Sequence, residues 1–251
     1  MNIKLNCDMG ESFGIYQMGL DEAIMPYIDM ANLACGFHAS DPVTMHRAIS
    51  QAKEQRVKIG AHPSYPDLVG FGRREMLCTS EEIVAFMLYQ IGALAALCQS
   101  YGMKIHYVKP HGALYNTMMQ NEVVFRAIAK AIAKYDRDIK LMILSSPKND
   151  HYAMLAHKYG VDLIYEVFAD RAYTDEGFLV SRQEQEAVIH NQNDVLNRAK
   201  LLFEEGMIET INGKKIPLKA DTICVHGDNA AALELIKVLH QLSHEYSYRL
   251  Y

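Results

Sequence analysis

The stretch HYVKPHGALYN (residues 106–116) is a short apolar run that ends in Lys109, Pro110 and His111. The same pattern recurs along the chain. LNCDMGE ends at Glu11 and contains Asp8, ANLACGFH ends at His38, and IGAHP carries His62. EVFADRAY brings Asp170 and Arg171, and TICVHGD brings His226 and Asp228. One apolar run ending in a polar cluster means little. Six, spread from residue 5 to residue 228, point to strands whose C-terminal ends converge on one site, as in a parallel β/α barrel.

The rest of the chain agrees with that reading. Strands are expected near 2–7, 29–35, 57–61, 104–109, 139–144, 161–167 and 221–225, with amphipathic segments between them. Asp41-Pro42 reads as an N-cap followed by proline at the first helical position, opening a helix to about Gln55. Thr79-Ser80-Glu81-Glu82 fits a capping box ahead of the apolar stretch 83–98. That stretch has 16 residues and includes Gln90, too short and too polar to span a bilayer, so a buried helix is expected. Segment 121–135 puts Val124, Phe125, Ile128, Ile132 and Tyr135 on one face, and 229–244 does so with Ala232, Leu235, Ile236, Leu239 and Leu242. Around Asn212-Gly213, residues 208–218 read as a β-hairpin. Alternating β and α segments imply a parallel sheet. About seven strands, none obviously an edge, favour a closed barrel filling 1–251 as one domain over an open doubly wound sheet, which would show the same alternation.

The chain has 251 residues, half of them apolar, and a net charge of −5. That suits a globular enzyme, and without a basic block nucleic acid is not an expected partner. Five cysteines, an odd number without a C-x-x-C pair, fit a reducing cytoplasm better than a disulfide framework. No secretory leader is legible at the start, and no membrane association is expected.

The residue types at the strand ends suggest roles. Asp8 and Glu11 can serve as a base, bind a metal or cap a turn, and Gly10 and Gly14 beside them let backbone approach a ligand. His38 precedes the helix opened by Asp41-Pro42, whose free N–H groups favour an anion nearby. His62 leads into YPDLVGFGRRE, a Gly- and Pro-rich loop of lid character whose Arg73 and Arg74 read as a solvated charge pair. In Lys109-Pro110-His111 the histidine can move a proton near neutral pH while the lysine steadies an oxyanion. Asn116 can add a neutral hydrogen bond. Arg171, beside Asp170, can fork onto a substrate carboxylate, or the two can form a structural ion pair. His226 and Asp228 complete the set. The other seven histidines read as structural. No P-loop, dinucleotide fingerprint, G-x-S-x-G elbow or H-E-x-x-H occurs. A metal held by Asp8 with two of the histidines stays open, because discontiguous ligands leave no spacing signature.

Taken in order, LNCDMGESFG, ANLACGFHASDP, IGAHPSYPDLVGFGRR, LYQIGAL, VKPHGALYN, FADRAY and CVHGD resemble the motif series of the LamB/YcsF family, the family of the 5-oxoprolinase A-type subunits. SSPKND (145–150) and Ser64 depart from its usual small-residue stretch and glycine. The resemblance implies a deformed TIM-like barrel similar to the glycoside hydrolase/deacetylase superfamily. It also implies the opening of 5-oxoproline to L-glutamate coupled to hydrolysis of ATP, with Mg2+ accompanying the nucleotide, in a complex with subunits B and C. On that chemistry Asp8, His38, His62, Lys109 and His111 are the expected catalytic residues. Glu11, Asn116, Asp170, Arg171, His226 and Asp228 are the expected substrate-binding residues. Two other readings compete: a metal-dependent deacetylase or amidohydrolase, and a non-catalytic subunit that binds a small acid.

Overall fold

All seven expected apolar runs form strands, and hydrogen bonds close them into a single parallel barrel. The computed structural model describes residues 3–181, 184–225 and 230–248. In chain order the elements are β1 (Lys4–Met9), α1 (Asp21–Ile24), β2 (Met30–Ala34), α2 (Pro42–Glu54), β3 (Lys58–His62), α3 (Ser80–Ser100), β4 (Ile105–Val108), α4 (Gly112–Met118) and α5 (Glu122–Tyr135). There follow β5 (Lys140–Leu144), α6 (Asn149–His157), β6 (Leu163–Phe168), α7 (Gln192–Glu205), β7 (Met207–Glu209), β8 (Lys215–Pro217), β9 (Thr222–Val225) and α8 (Ala230–Tyr248). The barrel runs β1 to β6 in sequence order and closes through β9, which pairs in parallel with both β6 and β1. The hairpin β7–β8 stands outside it, as the Asn212-Gly213 turn predicts.

The helix starts follow from their caps. Asp41 accepts hydrogen bonds from Val43 N and Thr44 N, with Pro42 at the first helical position of α2. Thr79 and Glu82 form the reciprocal capping box that opens α3. α3 is long and apolar enough to cross a membrane by length and composition. One stripe of it, Ile83, Met87, Ile91 and Leu94, is nevertheless buried in the core cluster. Buried Gln90 is satisfied by both backbone groups of Ser64, which ties α3 to the end of β3. On α5 the expected apolar face is buried through Ile132, but Tyr135 at its end is exposed. Helices α4, α6 and α7 carry no separate expectation from the sequence.

Inside the barrel an apolar plug of Met30, Tyr107 and Met142, with Ile164 against it, fills one level. The Tyr107 ring crosses the interior because β3 offers Gly60 opposite it. A Cβ at Gly60 would lie 2.2 Å from the ring. Above this plug, toward the C-terminal ends of the strands, the interior turns polar.

Candidate active site

Inward-facing polar residues of neighbouring strands build the site from the plug upward. Tyr107 Oη donates to Asn32 Oδ1 at 2.6 Å, and Asn32 Nδ2 donates to Asn6 Oδ1 and to Asp8 Oδ1, both at 2.8 Å. Asn6 Nδ2 in turn donates to Thr222 Oγ1 on β9. The network fixes the side chains of β1 and β2 before any ligand arrives, because buried polar groups with satisfied partners are rigid.

Lys109, just past β4, is buried at the centre. Its Nζ lies 2.7 Å from Glu166 Oε1 and 2.9 Å from Asp8 Oδ1, with Asn6 Oδ1 and Cys224 Sγ each at 3.3 Å. Tyr115 Oη donates to the other oxygen of Glu166 at 2.9 Å. Burial alone would push the Lys109 ammonium down, but Asp8 and Glu166 outweigh it and hold its pKa well above the ordinary lysine value. Burial likewise opposes the charge on Asp8. His62 and then Lys109 overcome it and keep that carboxyl well below the usual range. At neutral pH the centre therefore pairs a charged lysine with the Asp8 carboxylate, and Glu166 lies on the other side of the ammonium.

Three histidines stand beside this triad. His62, the last residue of β3, has Nδ1 2.7 Å from the Lys109 carbonyl, and its Nε2 lies 3.4 Å from Asp8 Oδ2 and 3.0 Å from His111 Nδ1. His111 Nε2 is 2.9 Å from the Phe71 carbonyl. His38 stacks on His111, with ring centroids 3.7 Å apart, and its Nε2 lies 3.0 Å from Glu11 Oε1. The buried Nδ1 of His38 has no hydrogen-bond partner among the described residues. Burial, reinforced by the neighbouring imidazoles, pushes His111 down to about 3 and His38 well below its ordinary value, so both rings are neutral. Glu11 goes the other way. Burial and the Asp8 charge raise its pKa. Glu11, His38, His62 and His111 each offer one ligand atom, all within 4.8 Å of one another, a donor set able to hold a metal ion.

The loop after β3 is packed onto these rings. Asp67, itself buried, accepts from Gly70 N at 2.9 Å and pairs with the Arg74 guanidinium, pinning the loop into a tight turn. Arg74 is thus a structural clamp, whereas exposed Arg73 lies over the Phe71 ring, 5.1 Å from its centroid, at the mouth. Gly72 has φ +64°, and a Cβ there would sit 2.4 Å from Ser64 Oγ, 2.8 Å from His111 and 2.9 Å from His38.

The structure brings together Asp8, Glu11, His38, His62, Lys109 and His111, six of the eleven residues singled out from sequence. Asn116 is not among them. It lies on the exposed side of α4, and its neighbour Tyr115 faces Glu166 instead. Arg171 is buried, and its described hydrogen bonds go to the carbonyls of Ala187 and Val180, so it braces the excursion after β6. Asp170 sits at the turn beside it, past the strand end. His226 and Asp228 lie outside the described residues. The residue that sequence reading passes over is Glu166, fully buried in β6. Its signal is a lone carboxylate inside the apolar strand LIYEVF, a position tolerated only with a charged partner. SSPKND forms a capped turn after β5, where Ser146 N donates to Asn149 Oδ1 and Ser145 N donates to the Glu166 carbonyl.

A closed parallel barrel with ionisable side chains gathered at the C-terminal mouth is the architecture of the β/α-barrel enzymes. Within that class the sequence matches the LamB/YcsF family model over residues 3–250, and the chain belongs to that family. It is 51% identical over 239 residues to a Vibrio vulnificus (strain CMCP6) protein named as the A subunit of 5-oxoprolinase, covering 95% of this chain and 96% of that one. A Pseudomonas fluorescens (strain Pf0-1) protein of the same name is 47% identical, covering 98% of each chain. The crystal structure of the lactam utilization protein from Thermus thermophilus superposes with a TM-score of 0.92 at 39% identity, covering 98% of each chain. The motif resemblance and the expected barrel are both borne out.

Proposed function

We propose that this chain is the A-type subunit of an ATP-dependent 5-oxoprolinase, opening 5-oxo-L-proline to L-glutamate with hydrolysis of ATP to ADP and phosphate. The near-full-length likeness to chains named as 5-oxoprolinase A subunits carries this reading. The substrate is a five-membered lactam, a stable amide, so ring opening needs activation. Phosphorylation of the lactam oxygen by Mg2+-ATP makes the ring carbon electrophilic. Water then adds to that carbon and the carbon–nitrogen bond breaks, leaving an acyl phosphate on the opened chain, and a second water hydrolyses this to the carboxylate and free phosphate.

The residues at the mouth fit those demands. Asp8 stays ionised, and its Oδ2, the oxygen turned away from Lys109, is placed to take a proton from the attacking water and deliver it to the departing ring nitrogen. Lys109, held protonated between Asp8 and Glu166, supplies a fixed positive charge for the oxyanion or its phosphate. Tyr115 and the Asn6–Asn32 pair keep that cation in register. Arg73 is the exposed cation at the rim suited to the substrate carboxylate. His38, His62 and His111 line the side on which the water sits. The lack of a phosphate-binding loop in the sequence supports a division of labour in which partner subunits B and C contribute the nucleotide step. The five cysteines, all free thiols, support a subunit working in the reducing cytoplasm.

The test is glutamate release from 5-oxoproline and ATP, with this chain alone, with both partners, and with partners plus Lys109→Ala. We expect turnover only with partners, and a drop of about 100-fold or more for Lys109→Ala, the scale of losing an oxyanion donor. Full activity of the isolated chain would overturn the shared-labour reading. Near-normal activity of the variant would overturn the role of Lys109. Release without ATP would instead indicate a plain amidohydrolase.

A further inference from the structure

The carbonyls around His62 and His111 dictate where their protons sit. A carbonyl oxygen only accepts, so His62 carries its proton on Nδ1, facing the Lys109 carbonyl at 2.7 Å. His111 carries its proton on Nε2, facing the Phe71 carbonyl at 2.9 Å. When both rings are neutral, the two remaining nitrogens, His62 Nε2 and His111 Nδ1, meet lone pair to lone pair across 3.0 Å. Two acceptors at that distance repel unless something positive lies between or beside them. Carboxylate oxygens come to the same place: Glu11 Oε1 is 3.5 Å from His111 Nδ1, and Asp8 Oδ2 is 3.4 Å from His62 Nε2. One proton can satisfy two of these atoms. A cation can satisfy all of them.

We propose that Glu11, His62 and His111, with His38 stacked on His111 beside them, form a binding site for one divalent transition-metal ion. Two imidazole nitrogens and one carboxylate oxygen are a ligand set of borderline metals such as Zn2+ or Co2+ rather than of Mg2+ or Ca2+. Metal–nitrogen bonds of about 2.1 Å at the tetrahedral angle place two ring nitrogens about 3.4 Å apart, so the two rings found at 3.0 Å need part only slightly to admit the ion. The carbonyl contacts of His62 and His111 are the outer partners that fix a metal-binding imidazole's tautomer. The clustered charge agrees, since Asp8 and Glu11 border the site while the buried Lys109 is already shared by Asp8 and Glu166. Asp8 Oδ2 lies beside the site, so a water on the metal would meet the base assigned above.

This inference goes beyond the 5-oxoproline reading, and its test uses neither ATP nor lactam, so the two stand or fall separately. The full chain is stripped with EDTA and titrated with Co2+, reading visible ligand-field absorption and calorimetric stoichiometry. We expect one Co2+ per chain, displaced by Zn2+. Affinity should fall about 100-fold or more in His62→Ala and in His111→Ala, more than the loss of an outer-sphere partner produces. His151→Ala, on the outer surface of α6, should bind as the parent does. Ring-nitrogen resonances of the unaltered protein give a second readout that requires no variant to fold: Zn2+ should move those of His38, His62 and His111 only. Failure of the unaltered chain to bind Co2+ stoichiometrically, or binding that survives both histidine replacements, would overturn the site.

Discussion

Asp41 and Glu11 carry carboxyl groups that their surroundings drive in opposite directions. Asp41 accepts backbone hydrogen bonds from Gly14 and Thr44, and its pKa falls to about 2. Glu11 is buried beside Asp8, and its pKa rises. For Asp41 the folded pKa lies below the unfolded value of about 3.9, so its contribution to stability is present above pH 4 and is lost as pH falls toward 2. Asp41→Ala should lower stability by about 1 kcal/mol at pH 7, the usual worth of an N-cap. The gap between parent and variant in urea unfolding should close between pH 4 and pH 2, and a gap constant with pH would refute the assignment. Lys109 follows the same linkage with the opposite sign. Its pKa is raised, so its contribution holds through neutral pH and is lost only at strongly alkaline pH. Of these residues the sequence made Asp41, Asp8 and Lys109 legible, because each abuts a strand end or helix start. Glu166 was hidden because its partner, Lys109, lies 57 residues earlier in the sequence.

The segment 67–74 behaves as an element although it is neither helix nor strand. The glycines of this segment, with Pro66 just before it, suggest a lid, but Asp67, Gly70 and Arg74 lock it in place, and the Phe71 carbonyl sets the tautomer of His111. Phe71 itself adopts a positive φ of 54°, a conformation held by the surrounding contacts. Gly72→Ala should therefore be costly. It adds a left-handed backbone penalty to a collision with Ser64 and two histidines, about 2 kcal/mol or more, and should depress activity with it. Gly213→Ala in the β7–β8 turn, with φ +78° and nothing within 4 Å of the added Cβ, should cost only the backbone term, about 1 kcal/mol. Equal costs in thermal unfolding would show that the packing of the loop on the histidines does not matter.

At the scale of the whole molecule, stability depends on closure. β9 is hydrogen-bonded to β1 on one side and β6 on the other, so strands more than 200 residues apart in sequence share one sheet. Removing residues 219–251 deletes β9 and α8, exposing two buried strand edges. The truncated chain should lose cooperative thermal unfolding, and a sharp calorimetric transition in it would show that the remaining strands close without β9. The sequence by itself determined the seven strands, the caps of α2 and α3, the hairpin and the family. Those are local signals of apolar periodicity, cap chemistry and turn residues, carried within a dozen positions. Only the tertiary structure decided which strand-end residues meet. It brought Glu166 to Lys109 and set Arg171 to bracing its own loop. It also turned Tyr115 rather than Asn116 inward and aimed the open nitrogens of His62 and His111 at each other. The physical reason is that strand direction fixes which end of the barrel a residue reaches. Its partners there depend on register and side-chain packing between segments far apart in the chain, and no local pattern encodes those.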